Sequence, residues 1–242
     1  MTALTGQRAL ITGASSGIGK ATALALAEAK ASAVALVSRS PEKLASVAEA
    51  AEQKGVTARC YALDLSNVAQ VRKEVGRIAA DFGTIDILVN NAGMGYTGNL
   101  MDTSLADWQR IIDLNLTSVF QCIQAILPGM RDRGKGTIIN VASIAAKQSF
   151  PGWGAYSVSK AALVSLSKGL SVEEQGNGIR ITVISPGAVN TPLWDTDTVE
   201  ADFDRSSMLT PEAVAQSILH AVQLPSNAVI DELTLMPSAG AL

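Results

Sequence analysis

Residues Arg8 to Ile11 form a short apolar run that leads directly into Thr12-Gly13-Ala14-Ser15-Ser16-Gly17-Ile18-Gly19. Ile18, Ala21, Ala25 and the neighbouring alanines and leucines then continue at helical spacing to about Lys30. This is strand, glycine turn, helix, and it constrains the fold more than any other stretch. Glycines let backbone N–H groups approach a diphosphate, and a helix N-terminus adds a favourable dipole. The spacing is Gly-x3-Gly-x-Gly, not the Gly-x-Gly-x2-Gly of the usual dinucleotide fingerprint. Tight turns also take glycine for purely structural reasons, so the turn alone does not decide function.

The unit repeats along the chain. Ala33 to Val37 reads as a buried strand, and Pro41 opens a helix whose Leu44, Val47, Ala48 and Ala51 share a face. Val56 to Leu63 is the third expected strand. Val68, Val71, Val75, Ile78 and Phe82 mark a helix stopped at Gly83, and Ile85 to Val89 is the fourth strand. A long helix is expected over Leu105 to Arg131, a fifth strand over Thr137 to Ala142, a helix over Ala155 to Gln175 and a sixth strand over Arg180 to Ile184. Residues Ala188 to Leu209 are polar and without period, as in a functional lid. A helix over Pro211 to Gln223 and a strand over Ala228 to Leu235 close the sequence. Such alternation predicts a Rossmann-type α/β fold, a doubly wound parallel seven-stranded sheet covered by helices on both faces, in one domain spanning 1–242. Ligands of such sheets bind beyond the carboxyl ends of the strands, where the glycine turn, Arg39, Asp64 and Asn90-Asn91-Ala92-Gly93 all fall.

Charge and cysteine content remove several classes. A net charge of −3 gives no electrostatic case for nucleic acid. No apolar run is expected to reach a membrane span, and the N-terminus lacks a signal pattern. Cys60 and Cys122 show no metal or redox spacing, and two isolated thiols fit a reducing cytoplasm. No metal constellation is present in the sequence, and His220 reads as an ordinary helix residue.

The chemistry centres on Tyr156-Ser157-Val158-Ser159-Lys160. In a helix the phenol and the ammonium stack on one face. A nearby cation favours the phenolate, which suits a tyrosine to acid/base work at neutral pH. Asn115 interrupts the apolar surface of the long helix, and Ser143 arrives at the carboxyl end of the fifth strand. An asparagine so placed is by itself more often a packing residue than a catalytic one.

Taken together, Thr12-Gly13-x3-Gly17-x-Gly19, Asp64, Asn90-Asn91-Ala92-Gly93, Asn115, Ser143, Tyr156-x3-Lys160 and Pro186-Gly187-x3-Thr191 resemble the short-chain dehydrogenase/reductases of single-domain type, over essentially the whole chain. The resemblance implies hydride transfer between a nicotinamide and a carbonyl or secondary alcohol. It implies that Tyr156 is the proton donor or base, that Ser143 holds the carbonyl oxygen, and that Lys160 lowers the tyrosine pKa and binds the nicotinamide ribose. Asn115 would help hold a water linking Lys160 to solvent. Gly13, Ser15, Ser16, Gly17, Ile18 and Gly19 would surround the diphosphate. Asp64 and Leu65 would meet the adenine, Asn91, Ala92 and Gly93 the adenosine ribose, and Pro186, Gly187, Val189 and Thr191 the nicotinamide carboxamide. Enzymes of this kind that use NAD place an acidic residue at the end of the second strand. Here Ser38 and Arg39 stand there, and a guanidinium can clamp a 2′-phosphate, which implies NADP(H).

Two departures bear on substrate. Many relatives end their last strand with a Gly-Gly pair, whereas this chain reads Leu235-Met236-Pro237-Ser238-Ala239-Gly240 there, similar to endings in a side branch containing reductases and 3-hydroxy-acid dehydrogenases. Asn177 stands before Gly178-Ile179 where 3-oxoacyl-[acyl-carrier-protein] reductases often carry arginine. The leading expectation is a small free carbonyl or alcohol, with an acyl-carrier protein, drawn to Arg131, Arg133 and Lys135, as the alternative partner. A non-catalytic nucleotide-binding relative would have lost Tyr156 or Lys160. The two long helices carry more apolar residues than one face requires, which predicts a homo-oligomer, a D2 tetramer by resemblance.

Overall fold

The computed structural model describes residues 3–201, 204–238 and 240. Met1, Thr2, Ala241 and Leu242 at the ends of the expected domain, Asp202 and Phe203 of the expected 188–209 loop, and Ala239 of the chain ending lie outside the described residues. Seven strands form one parallel sheet: β1 Arg8–Thr12, β2 Ala33–Ser38, β3 Thr57–Ala62, β4 Ile87–Asn90, β5 Gly136–Val141, β6 Ile179–Pro186 and β7 Glu232–Leu235. Their spatial order is β3-β2-β1-β4-β5-β6-β7. Helices α1 Gly17–Glu28, α2 Pro41–Glu52, α3 Val68–Phe82, α4 Leu105–Ile112, α5 Ser118–Arg133, α6 Gly154–Glu174 and α7 Pro211–Val222 connect or flank them. The sheet is the Rossmann-type arrangement that the strand–helix alternation implies.

Strand alternation divides the core in two. On β1, Ala9 and Ile11 join Ile87, Val89, Ile139 and Val141 beneath α1, α2 and α7. Leu10, Leu88, Ile138, Ile181 and Val183 point the other way, onto α3, α5 and α6. With both faces covered, neighbouring positions on the central strands are apolar on both sides, as in Ala9-Leu10-Ile11 and Ile87-Leu88-Val89. The order reverses between β1 and β4, whose register pairs Ile11 with Val89. Chain leaves those two strands in opposite directions, and a crevice opens at their carboxyl ends.

The expected long helix is not uniform. A π-helical turn, Asp113–Thr117, separates α4 from α5, and Asn115 sits within it, fully buried. Ser118 N–H reaches back to the Asp113 carbonyl, one residue further than in an α-helix. The run Leu105–Arg133 is, by length and composition, long and apolar enough to cross a membrane, contrary to the expectation that no such run exists. In this fold it covers one sheet face, with Val119, Cys122, Ile123, Ile126 and Met130 inside the core. The last strand is shorter than its sequence suggests, beginning at Glu232, because 228–231 lead up to it without the regular ladder.

Candidate active site

Thr12, the last residue of β1, is buried and organises the crevice. Its Oγ1 accepts from the Asn91 and Ala92 N–H groups, each at 3.0 Å. The Asn91 carboxamide donates in return to the carbonyls of Thr12 (3.1 Å) and Gly13 (3.3 Å). These bonds lock the glycine turn to the Asn90–Gly93 turn, so two segments far apart in sequence present their backbones together.

A cleft of about 820 Å³ lies at the strand ends. Gly13, Ser15, Ser16, Gly17, Ile18, Ser38, Arg39, Asp64, Leu65, Asn91, Ala92, Gly93, Ser143, Tyr156, Lys160, Pro186, Gly187, Val189 and Thr191 all line it. Two expected residues do not. Gly19 is buried behind the turn, where a Cβ would stand 2.3 Å from the Gly13 carbonyl oxygen and 2.6 Å from Asn91 Nδ2. It serves close packing of helix on strand rather than contact with a ligand. Asn115 is likewise one layer back. Its Oδ1 accepts from Met94 N–H (2.8 Å) while its Nδ2 donates to the Met94 carbonyl and to Ser159 Oγ, each at 3.0 Å. Ser159 Oγ donates to the Tyr156 carbonyl at 2.7 Å, so Asn115 is tied to the Tyr156 helix through Ser159.

The far end of the cleft is built on α6. Tyr156 and Lys160 are both buried, at 8% and 5% exposure. Lys160 Nζ donates to the Val141 carbonyl at 3.0 Å and lies 5.8 Å from the centre of the Tyr156 ring. Among the described residues no carboxylate pairs with it. Burial alone brings its ammonium down to about 8. Burial pushes the Tyr156 phenol up, and the opposing hydrogen bond with Ser143 does not overcome it. Burial is the largest influence on both groups, which share one desolvated site. Ser143 is held in turn: its Oγ accepts from Ala145 N–H at 3.1 Å, capping the short turn Ile144–Ala146.

The other end of the cleft is cationic. Burial works to raise the Asp64 carboxyl, but hydrogen bonds from Ser66 N–H (3.0 Å) and Oγ (2.8 Å), with the Arg39 charge, bring it below the usual range. Lys43, from the first turn of α2, lines the cleft beside Ser38, Arg39 and Ser40. Sequence reasoning missed Lys43, although its place just after Pro41 puts it at the same strand end. It also missed the aromatic residues of the opposite end. Trp153 stacks edge-on against Tyr156 (centroids 5.3 Å) and against Trp194 (5.6 Å). No sequence period links two tryptophans brought together by a loop.

The site residues fit a dinucleotide. Ser16 occupies the N-cap of α1 without a side-chain capping bond, and no acidic residue lies in the first turn, so uncapped N–H groups meet the cleft. At Gly93 a Cβ would come within 3.4 Å of the Lys160 ammonium and 3.1 Å of Asn115 Oδ1.

The family model described as short chain dehydrogenase matches residues 7–201. The chain belongs to the short-chain dehydrogenase/reductase family. It is an oxidoreductase of that family, whose members use nicotinamide cofactors. An uncharacterised oxidoreductase of Staphylococcus haemolyticus is 35% identical over 98% of this chain and all of its own length. The ketoacyl reductase HetN of a Nostoc species is 36% identical over 95% of this chain and 80% of its own length. Among solved structures, a metagenomic short-chain oxidoreductase in complex with NADP superposes with a TM-score of 0.84 at 30% identity, covering 97% of this chain and 98% of that one. An alcohol dehydrogenase of Thermococcus sibiricus, complexed with 5-hydroxy-NADP, gives 0.87 at 29% identity and covers 98% of each chain. Among the described residues no group of three or more His, Cys, Asp and Glu side chains is arranged to hold a metal ion. His220 is exposed in the last turn of α7, away from the cleft.

Proposed function

We propose that the protein is an NADP(H)-dependent reductase of carbonyl groups, and the reverse dehydrogenase of secondary alcohols, with Tyr156 as its acid and base. The observation that carries this reading is the convergence of Ser143, Tyr156 and Lys160 in one desolvated end of the cleft. When bound, the nicotinamide supplies the hydride. Tyr156 delivers the proton to the developing alkoxide oxygen, and Ser143 donates a hydrogen bond to that oxygen and orients it. Lys160 donates to ribose hydroxyls and holds positive charge near the phenol when the proton leaves. Asn115, tied to Ser159 and Met94, fixes the π turn behind Lys160 and keeps the proton route in register. Arg39 and Lys43 receive a 2′-phosphate, Asp64 and Leu65 the adenine, and Gly187, Val189 and Thr191 the carboxamide. The NADP complexes of two structural relatives support the cofactor choice.

Tyr156→Phe is expected to remain folded and to bind NADPH while kcat falls by about a hundredfold or more. A folded variant with a tenth of the native rate would refute the role. Arg39→Ala is expected to lower kcat/KM for NADPH by about tenfold and leave NADH little changed. A native preference for NADH, unaltered by that substitution, would refute the cofactor assignment.

A carrier-bound 3-oxoacyl substrate is the second reading, supported by the ketoacyl reductase relative. The cationic cluster that would receive a carrier argues against it. Arg131 forms a close ion pair with the buried Glu174 carboxylate, which also accepts from Asn177 Nδ2 at 2.8 Å. Arg133 donates to the Ile85 carbonyl at 2.6 Å, so both guanidinium groups have structural partners. The exposed apolar residues Leu105 (79%), Phe120 (43%), Val158 (42%) and Val172 (70%) on α4, α5 and α6 support a homo-oligomer through these helices. Light scattering at micromolar concentration tests that assembly. The two free thiols suit a reducing cytoplasm.

A further inference from the structure

The substrate end of the cleft has a composition of its own. Trp153 supplies the N-cap of α6, three residues before Tyr156, and its ring meets both the Tyr156 ring and the Trp194 ring edge-on. Trp194 comes from a short turn, Pro192–Asp195, in the loop that covers the cleft. Its Nε1 donates to the Val189 carbonyl at 2.8 Å, which fixes the ring against the cleft wall. The loop itself is anchored. Val189 bridges to Leu209, Thr97 N–H donates to the Thr198 carbonyl at 2.9 Å, and Thr198 Oγ1 donates to the Gly95 carbonyl at 2.8 Å. The aromatic wall is therefore held in place, with Phe150, Leu193 and Met236 completing it.

Charge is distributed with equal consequence. Among the described residues the cations lining the cleft are Arg39, Lys43 and Lys160. The first two stand at the β2 end, and Lys160 is held on Val141 behind the phenol. None is left beside the tryptophans. Among its described residues the covering loop, 188–201 and 204–209, carries Asp195, Asp197, Glu200 and Asp204 against one basic residue, Arg205. Arg205 is itself paired with Asp195 at 2.5 Å. An anionic substrate would pass an acidic loop and then lose its hydration with no counter-ion to replace it.

Building on the proposed carbonyl reduction, we propose that Trp153 and Trp194 determine specificity, and that the substrates are uncharged ketones or aldehydes bearing an aryl group. A carbonyl oxygen within reach of Ser143 and Tyr156 places the substituents of its carbon along the Trp153 ring. Aromatic substituents gain edge-to-face contact there beyond the burial available to an aliphatic ring. Carboxylate-bearing substrates are selected against by the same geometry.

The experiment compares acetophenone, cyclohexyl methyl ketone and 4-acetylbenzoate with NADPH, and reads kcat/KM at low and high salt. Acetophenone is expected to exceed each of the others by about tenfold. The margin over 4-acetylbenzoate is expected to narrow as salt rises. Trp153→Leu and Trp194→Leu should lower activity on acetophenone more than on cyclohexyl methyl ketone, whereas the corresponding Phe variants keep the preference. In parallel, quenching of tryptophan fluorescence in the cofactor-free protein measures binding of acetophenone and of 4-acetylbenzoate without turnover. Equal activity or equal quenching with the carboxylate would overturn the proposal, as would Leu variants that lower both neutral ketones by the same factor. Should no ketone turn over with either nicotinamide, the carbonyl-reductase reading falls. The quenching comparison then still decides the nature of this pocket.

Discussion

Replacing Lys160 by Met is expected to make the cofactor-free protein more stable while abolishing its activity. Lys160 is 5% exposed, donates to one carbonyl, and has no carboxylate partner among the described residues. Burial lowers its ammonium from 10.5 to about 8. That difference corresponds to about 3 kcal/mol of destabilisation at neutral pH, where the group is charged in both folded and unfolded chains. Methionine fills similar volume without charge but leaves the Val141 carbonyl unpaired, which costs about 1 kcal/mol. The net expectation is a gain of about 2 kcal/mol at pH 7, read as a higher urea midpoint. The pH dependence has a definite sign. Between 8 and 10.5 the folded protein has released the lysine proton and the unfolded chain has not, so native stability rises with pH across that interval. The difference between native protein and variant should therefore be largest below pH 8 and shrink towards pH 10.5. A variant no more stable than the native protein at pH 7, or one whose advantage does not change with pH, would refute the reasoning.

The same alanine substitution should have opposite effects at two glycines: Gly19→Ala puts a methyl 2.3 Å from a backbone oxygen, whereas Gly76, inside α3, has nothing within 4 Å. Chemical denaturation should show a loss of about 2–3 kcal/mol or more at the first and a gain of about 1 kcal/mol at the second. Ser159→Ala removes the acceptor of one Asn115 N–H and should cost about 1–2 kcal/mol, with kcat falling more than KM rises and partial recovery in Ser159→Thr. A folded Ser159→Ala with native stability and native kcat would remove Ser159 from the support of Tyr156. Thiol labelling of the native protein should modify exposed Cys60 and spare Cys122, which is buried and pushed up to about 12, until denaturant is added. Labelling of both thiols at equal rates without denaturant would contradict the packing of α5.

Much of this molecule is determined by local rules that a sequence obeys openly. Continuous apolar runs at 33–37 and 87–89 are what a strand buried on both faces needs, and 3.6-residue spacing from Val68 to Phe82 is what a helix lying on a sheet needs. Once strands and helices alternate, handedness places Gly13, Arg39, Asp64 and Asn91 at the same edge of the sheet. Other features depend on what meets across space. The π turn at Asn115 exists because its carboxamide satisfies Met94 and Ser159, neither of which is near it in sequence. Gly19 belongs to packing rather than binding only because the Gly13 carbonyl and Asn91 converge behind the turn. The tyrosine–lysine spacing is local, but the environment of the two groups is not: the tertiary fold strips both of water, and burial sets the direction in which each is shifted. Trp153 and Trp194 become one wall because the covering loop is tied to 95–97 by hydrogen bonds. Substrate recognition sits at that meeting point, since side-chain contact between distant segments leaves no period or spacing in the chain that encodes it.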